Sequence, residues 1–173
     1  GVQTCALPIS DMPEEDLKEI SEAVGMGAVI FSDMKAARRK DVNFDLDKIL
    51  SFDGETGPYL QYTHVRFASI LRKATDQGLS ENDGKGLVED EELQLIKRLL
   101  RYPGIIDKAA KQAEPSQLSQ YLLDLASEFN TYYSKHRVIS DNAELSGHRL
   151  ALIQALKTTL GSGLSKLCIK PLD

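Results

Sequence analysis

The stretch SFDGETGPYLQYTHVRFASILRK, residues 51–73, holds a turn, a helix start and a patterned helix in immediate succession. Gly54 and Gly57 permit backbone angles closed to other residues, and Pro58 suits the first helical position, where a missing N–H costs nothing. A loop therefore ends at about Pro58 and a helix begins. With an advance of about 100° per residue, Tyr59, Tyr62, Arg66 and Lys73 fall within an arc of about 60°, while Leu60, Phe67 and Leu71 gather on a different face. One side of this helix is suited to packing. The other offers two aromatic rings and two cations to something outside.

The rest of the chain reads as further helices. From about Val88 to Tyr102, Leu93, Ile96, Leu99 and Leu100 recur at helical spacing; Pro103-Gly104 reads as a stop, with a second, shorter helix beyond it. Pro115-Ser116 opens another helix, in which Leu118, Leu122, Leu125 and Phe129 form a stripe with Tyr121, Tyr132 and Tyr133 beside it. A last helix, from about Glu144 to Leu160, buries Leu145, Leu152, Ile153, Leu156 and Leu160, and Gly161 and Gly163 are stop signals.

Upstream, Asp11 is a candidate cap for a helix whose first turn carries Pro13, Glu14, Glu15 and Asp16 and which reaches Phe31 or beyond. Gly25 and Gly27 within it read as close-packing positions, since each otherwise costs ~1 kcal/mol relative to alanine. Residues 37–50, ARRKDVNFDLDKIL, alternate Val42, Phe44 and Leu46 and read as a short extended connector followed by a helical turn. Residues 77–86, QGLSENDGKG, are a polar loop without the GxxxxGK[ST] spacing of a phosphate loop. Nothing reads as a sheet, so the expected fold is all-α, a helical bundle.

Composition bounds the function. The 173 residues are 42% hydrophobic and 27% charged, as in soluble globular proteins, and no apolar run approaches the ~20 residues that span a bilayer. No membrane partner is expected. Cys5 and Cys168 lie at opposite ends with no CxxC pair, which argues against a disulfide framework or structural zinc and for a reducing, cytoplasmic compartment. His64, His136 and His148 have no ligand spacing and read as ordinary helix residues, with His64 near the packing face a candidate for fixing an interface. The opening nine residues, GVQTCALPI, resemble the in-frame translation of a sequencing adapter, so residues 1–10 are set aside from fold reasoning and the sequence is expected to be a piece of a longer one.

The aromatic and cationic face has two readings. Stacking of an unpaired base on an aromatic ring contributes about 1–3 kcal/mol, and arginine pairs with phosphate or covers a base, so single-stranded RNA loops fit it. The same pattern is met if both tyrosines pack at a helix interface and Arg66 is merely solvated. The net charge of −5 opposes RNA in sum. Its distribution does not: acids gather at Glu14–Glu22 and Glu89–Glu92, leaving basic clusters at Lys35/Arg38/Arg39/Lys40, Arg66/Arg72/Lys73 and Lys97/Arg98/Arg101.

The PYLQYxHxR string after an FxGxTG loop, together with LSQYLLDLASEFNTYY (118–133) and RLALIQALKTTLGSGLSKLCI (149–169), resembles the C-terminal region of bacterial-type arginyl-tRNA synthetases. The similarity extends over essentially all of Asp11 to Ile169. It implies a helical anticodon-binding domain of the class I synthetase type, named after its DALR signature, at residues 58–173. The tail of the catalytic domain and a connector would precede it at 11–57. It also implies that Tyr59, Tyr62, Arg66 and Tyr133, with the loop from Ser51 to Thr56, face the anticodon loop. Lys73, on the same face, completes the expected tRNA-binding set, and a one-residue shift would exchange Tyr133 for Tyr132. The ending departs from the family: Cys168 stands where glycine is expected and the terminal methionine is absent, so no contact from the C-terminal end is carried over.

The resemblance implies a parent enzyme, an arginine–tRNA ligase that attaches arginine to its tRNA at the expense of ATP. HIGH-type and KMSK-type signatures do not occur in these residues, so this part is expected not to charge tRNA by itself and to hold no cofactor, ATP belonging to the parent. Its expected partners are tRNA and the catalytic domain of the same chain, in a monomer. The alternatives are a helical protein-interaction module, or the related domain of another class I synthetase such as the cysteine or glycine enzyme; PYLQYTHVR disfavours the latter.

Overall fold

The computed structural model describes residues 13–41 and 45–173. Among these the elements are α1 (Glu14–Lys35), α2 (Leu46–Ile49), α3 (Gly57–Asp76), α4 (Asp90–Gln112), α5 (Ser116–Lys135) and α6 (Ala143–Lys166), with no strand. Asp11, Val42, Phe44 and the ten leading residues, for which a cap, an extended connector and an adapter origin are expected, lie outside the described residues. The helical turn expected after the connector is α2, capped by the Asp45 side chain.

Helix α3 starts where the turn chemistry places it. The Thr56 hydroxyl donates to the Ser51 carbonyl at 2.6 Å and accepts from the Tyr59 N–H at 3.2 Å, which caps the helix and closes the preceding loop. Gly57 takes the first helical position and Pro58 the second. Leu60 and Phe67 are fully buried, and Phe67 meets Phe129 edge-on at 4.5 Å between ring centres. Helices α4 and α5 form an antiparallel hairpin, α3 pairs with α6, and α1 lies across α3 and α5. Their shared core includes Leu95, Leu122, Leu125, Phe129, Tyr132, Ile153, Leu156 and Leu160. Each such side chain contributes roughly 1.5–3 kcal/mol of burial free energy.

The glycines of α1 divide. Gly27 presses against α3, where a Cβ would come within 2.7 Å of Gln61 Oε1, and Gly57 in turn sits against the Gly27 carbonyl. Gly25 faces open space, so close packing explains one of the two. The Gln61 amide nitrogen, at this junction, donates to the Ala23 carbonyl of α1 at 3.1 Å and to the Lys170 carbonyl of the C-terminal segment at 2.9 Å.

Two sequence stops are not stops. Pro103 lies inside α4 on the exposed side, and a single helix runs through it to Gln112. Pro103 removes one backbone donor, but Tyr102, Ile105 and Ile106 on the other face keep packing against the core, and that burial outweighs the local loss. Helix α6 likewise continues past Gly161 and Gly163 to Lys166. There the glycines permit close approach: a Cβ on Gly161 would lie 2.8 Å from the His64 ring, and one on Gly163 would lie 2.5 Å from Leu122. The true end comes at Cys168, which takes φ +62° while the Ile169 N–H returns to the Leu164 carbonyl at 2.9 Å.

Candidate nucleic-acid interface

Helix α3 and the last turns of α5 build one surface together. Tyr62, 39% exposed, projects from α3, and Phe52, 54% exposed, approaches it edge-on from the capped loop at 6.4 Å between ring centres. The Arg66 guanidinium carbon lies one turn further along, 5.0 Å from the centre of the Tyr62 ring and 5.8 Å from that of Tyr133 on α5. Tyr133 rests on buried Phe129 at 5.5 Å. The result is a row of three half-exposed rings, Phe52, Tyr62 and Tyr133, with the partly exposed Arg66 guanidinium between the two tyrosines. Such cation–π contacts hold the guanidinium in place while leaving it charged.

Tyr59 is anchored behind the row. Its hydroxyl oxygen accepts from the Asn130 amide nitrogen at 2.7 Å, and Arg66 Nη1 donates to Asn130 Oδ1 at 2.8 Å. Burial raises the Tyr59 phenol above its ordinary value, against the opposite pull of the Asn130 hydrogen bond and the Arg66 charge. Tyr59 therefore stays neutral and keeps its proton at neutral pH.

Four of the five expected site residues come together here: Tyr59, Tyr62, Arg66 and Tyr133. Lys73 is exposed on the same helix but lies two turns on, about 10 Å along the axis from Arg66, and joins none of these contacts. The two adjacent tyrosines differ in exposure. Tyr133 is 42% exposed; Tyr132 is fully buried, stacked on His136 at 5.1 Å.

The three basic clusters are not equivalent. Arg98 is committed to the hairpin, bonded through Nε to Glu128 at 3.2 and 3.1 Å and through Nη1 to Asp124 at 3.3 Å. Lys35 pairs with Glu55 at 3.2 Å and Arg38 with Glu114 at 3.6 Å. Arg72 and Lys73 are exposed and join no ion pair among the described residues, as is also true of Arg39, Lys40, Lys97 and Arg101 in the other two clusters. The histidines are structural. His64 Nδ1 donates to the Leu172 carbonyl at 2.6 Å and His148 faces Asp83 at 3.5 Å, so His64 fixes the C-terminal segment onto α3. No group of three or more metal-ligating side chains occurs among the described residues.

The model of the DALR anticodon binding domain matches residues 60–173, which contain α3 from Leu60 onward, α4 to α6 and every member of the row except Phe52. The chain belongs to the DALR anticodon-binding domain family. It is 43% identical to the arginine–tRNA ligase of Ligilactobacillus salivarius over 155 residues, 90% of this chain and 27% of that protein. To that of Oenococcus oeni it is 41% identical over 153 residues, 88% of this chain and again 27% of the relative. Among solved structures, Thermus thermophilus arginyl-tRNA synthetase superposes with a TM-score of 0.86 at 36% identity, covering 95% of this chain and 28% of that one. The Plasmodium falciparum enzyme gives 0.78 at 27% identity, over 91% of this chain and 28% of its own. The DALR chain thus spans just over a quarter of the length of the relatives it matches.

Sequence reading of this DALR domain missed two participants. Asn130 lies 71 residues from Tyr59, and nothing in EFNTYY marks its amide for that partner. Phe52 sits in the loop expected to face RNA, yet its contact with Tyr62 depends on how Thr56 closes that loop. Among the described residues no helix is long and apolar enough to cross a membrane.

Proposed function

We propose that this chain is the C-terminal part of an arginine–tRNA ligase and that the row of Phe52, Tyr62, Arg66 and Tyr133 holds the anticodon loop of the tRNA. The observation that carries this is the guanidinium of Arg66 set between two half-exposed tyrosine rings, on a chain whose curated relatives are named arginine–tRNA ligases. Exposed rings accept splayed bases by stacking, each worth about 1–3 kcal/mol, and the guanidinium meets phosphate or a base face. Lys73, two turns along the same face, adds an exposed positive charge for the RNA backbone.

In the parent enzyme this domain grips the far end of the tRNA, so that its acceptor end reaches a catalytic domain located elsewhere in the same chain. ATP binding and arginine transfer belong to that domain, in a monomeric cytoplasmic enzyme, and the 173 residues alone charge no tRNA. The test is titration of the chain with an arginine tRNA anticodon stem–loop at several salt concentrations. Affinity falls steeply with salt and collapses when the loop is replaced by a base-paired hairpin. Equal affinity for both RNAs would sink the reading.

A further inference from the structure

The chemistry of Asn130, Tyr59 and Arg66 fixes where each proton in this cluster lies. Arginine can only donate, so the amide atom 2.8 Å from Arg66 Nη1 is the oxygen. The remaining amide atom is the nitrogen, which can only donate, and it lies 2.7 Å from the Tyr59 oxygen. Tyr59 is therefore an acceptor toward Asn130. Its own hydrogen turns away from the amide, and among the described residues it meets no protein acceptor.

We propose that Asn130 is a positioning residue of the RNA site: its amide turns the Tyr59 hydroxyl into an outward donor in register with the Arg66 guanidinium, so that the pair selects a base edge carrying hydrogen-bond acceptors. This rests on the RNA reading above and goes beyond it by giving the site a polarity. A free tyrosine hydroxyl rotates about its C–O bond and serves as donor or acceptor, so it discriminates little. Locked by an amide that is itself locked by arginine, it offers a hydrogen only. A base presenting an amino group at that place would leave two donors facing each other, and unpaired buried donors are what give such sites their selectivity. The exposed rings of Tyr62 and Phe52 tolerate any base by stacking. Selection then falls to the donors beside them.

The test is a double-mutant cycle on the 173-residue chain, with binding to an arginine tRNA anticodon stem–loop read by fluorescence. Tyr59→Phe removes the donor. Asn130→Asp keeps the shape and the Arg66 contact but supplies a second acceptor, so the Tyr59 hydrogen turns inward. Tyr59→Phe is expected to weaken binding about three- to tenfold in the wild-type background and less than twofold in Asn130→Asp. The cycle also cancels the nonspecific effect of the added negative charge. Asn130→Ala, which frees the hydroxyl, is expected to shrink the affinity ratio between the native loop and one with an exchanged base while circular dichroism is unchanged. Equal losses from Tyr59→Phe in both backgrounds, or an undiminished ratio in Asn130→Ala, would overturn the proposal. The broader RNA reading fails differently: Tyr62→Ala then leaves stem–loop affinity untouched.

Discussion

Tyr132 and Tyr133 are consecutive in α5 and have opposite surroundings: the first is enclosed between α4 and α6 with its ring on His136, and the second rests on Phe129 and faces solvent beside Arg66. The α-helical advance of about 100° suffices to put one in the core and the other on the exposed row beside Arg66. Their substitutions should separate accordingly. Tyr132→Ala is expected to lose roughly 3–5 kcal/mol of stability in urea unfolding, as large aromatic truncations do. The Tyr132 hydroxyl is buried beside the Glu92 carboxylate without a well-formed hydrogen bond, so Tyr132→Phe should change stability far less than Tyr132→Ala. Tyr133→Ala should keep the unfolding midpoint and weaken RNA binding.

A buried ion pair ties the hairpin to α6. Glu92 is fully buried; its Oε2 accepts from the Val88 and Glu89 N–H groups at 3.0 and 3.1 Å, and its Oε1 accepts from Arg149 Nε at 2.8 Å. The Arg149 Nη1 donates onward to the Arg137 carbonyl at 2.8 Å. Removing one partner strands a buried charge, so Glu92→Ala should cost about 3–5 kcal/mol. Thermal or urea denaturation of the two single variants and the Glu92→Ala/Arg149→Ala double variant would show non-additive losses.

Cys168 gives an opportunity for stabilisation. Its φ of +62° is a left-handed conformation that a side chain disfavours and glycine adopts freely, which is the physical reason glycine is expected at this helix end. Cys168→Gly should raise stability by about 1 kcal/mol, read from the urea midpoint. The sign is set by the strain exceeding the added flexibility of the unfolded chain.

How much was legible in the sequence depended on how local the cause is. The start of α3 follows from Gly54, Gly57 and Pro58 within five residues, and the shared face of Tyr62 and Arg66 follows from helical spacing alone. Pro103, Gly161 and Gly163 misled because tertiary packing outweighs a propensity of ~1 to 3 kcal/mol. A glycine marks a helix end only if nothing needs the space its missing Cβ leaves. At Gly161 the His64 ring needs it, and His64 is 97 residues away. Asn130 stayed hidden for the same reason, its amide gaining meaning only across the α3–α5 contact.

Glu91 makes stability depend on pH in a defined sense. Lys135, and after it His136, at the end of α5 hold the Glu91 carboxyl down to about 2, below its ordinary 4.5. The folded value is the lower one, so this contribution is fully present above about pH 4.5 and is lost as pH falls toward 2. Between about pH 6 and about pH 3 the urea midpoint of the wild type should therefore drop further than that of Glu91→Gln. Parallel curves would show that the link between α4 and α5 carries no such weight.

The contact of Arg66 with two half-exposed rings is the feature on which the functional account stands. Its most direct test is the affinity of Tyr62→Ala and Arg66→Ala for an arginine tRNA anticodon stem–loop, measured beside their unfolding midpoints. Both variants are predicted to bind at least about tenfold more weakly, with Arg66→Ala also showing a shallower salt dependence and both keeping helicity. Affinities equal to wild type in two folded variants would contradict the account.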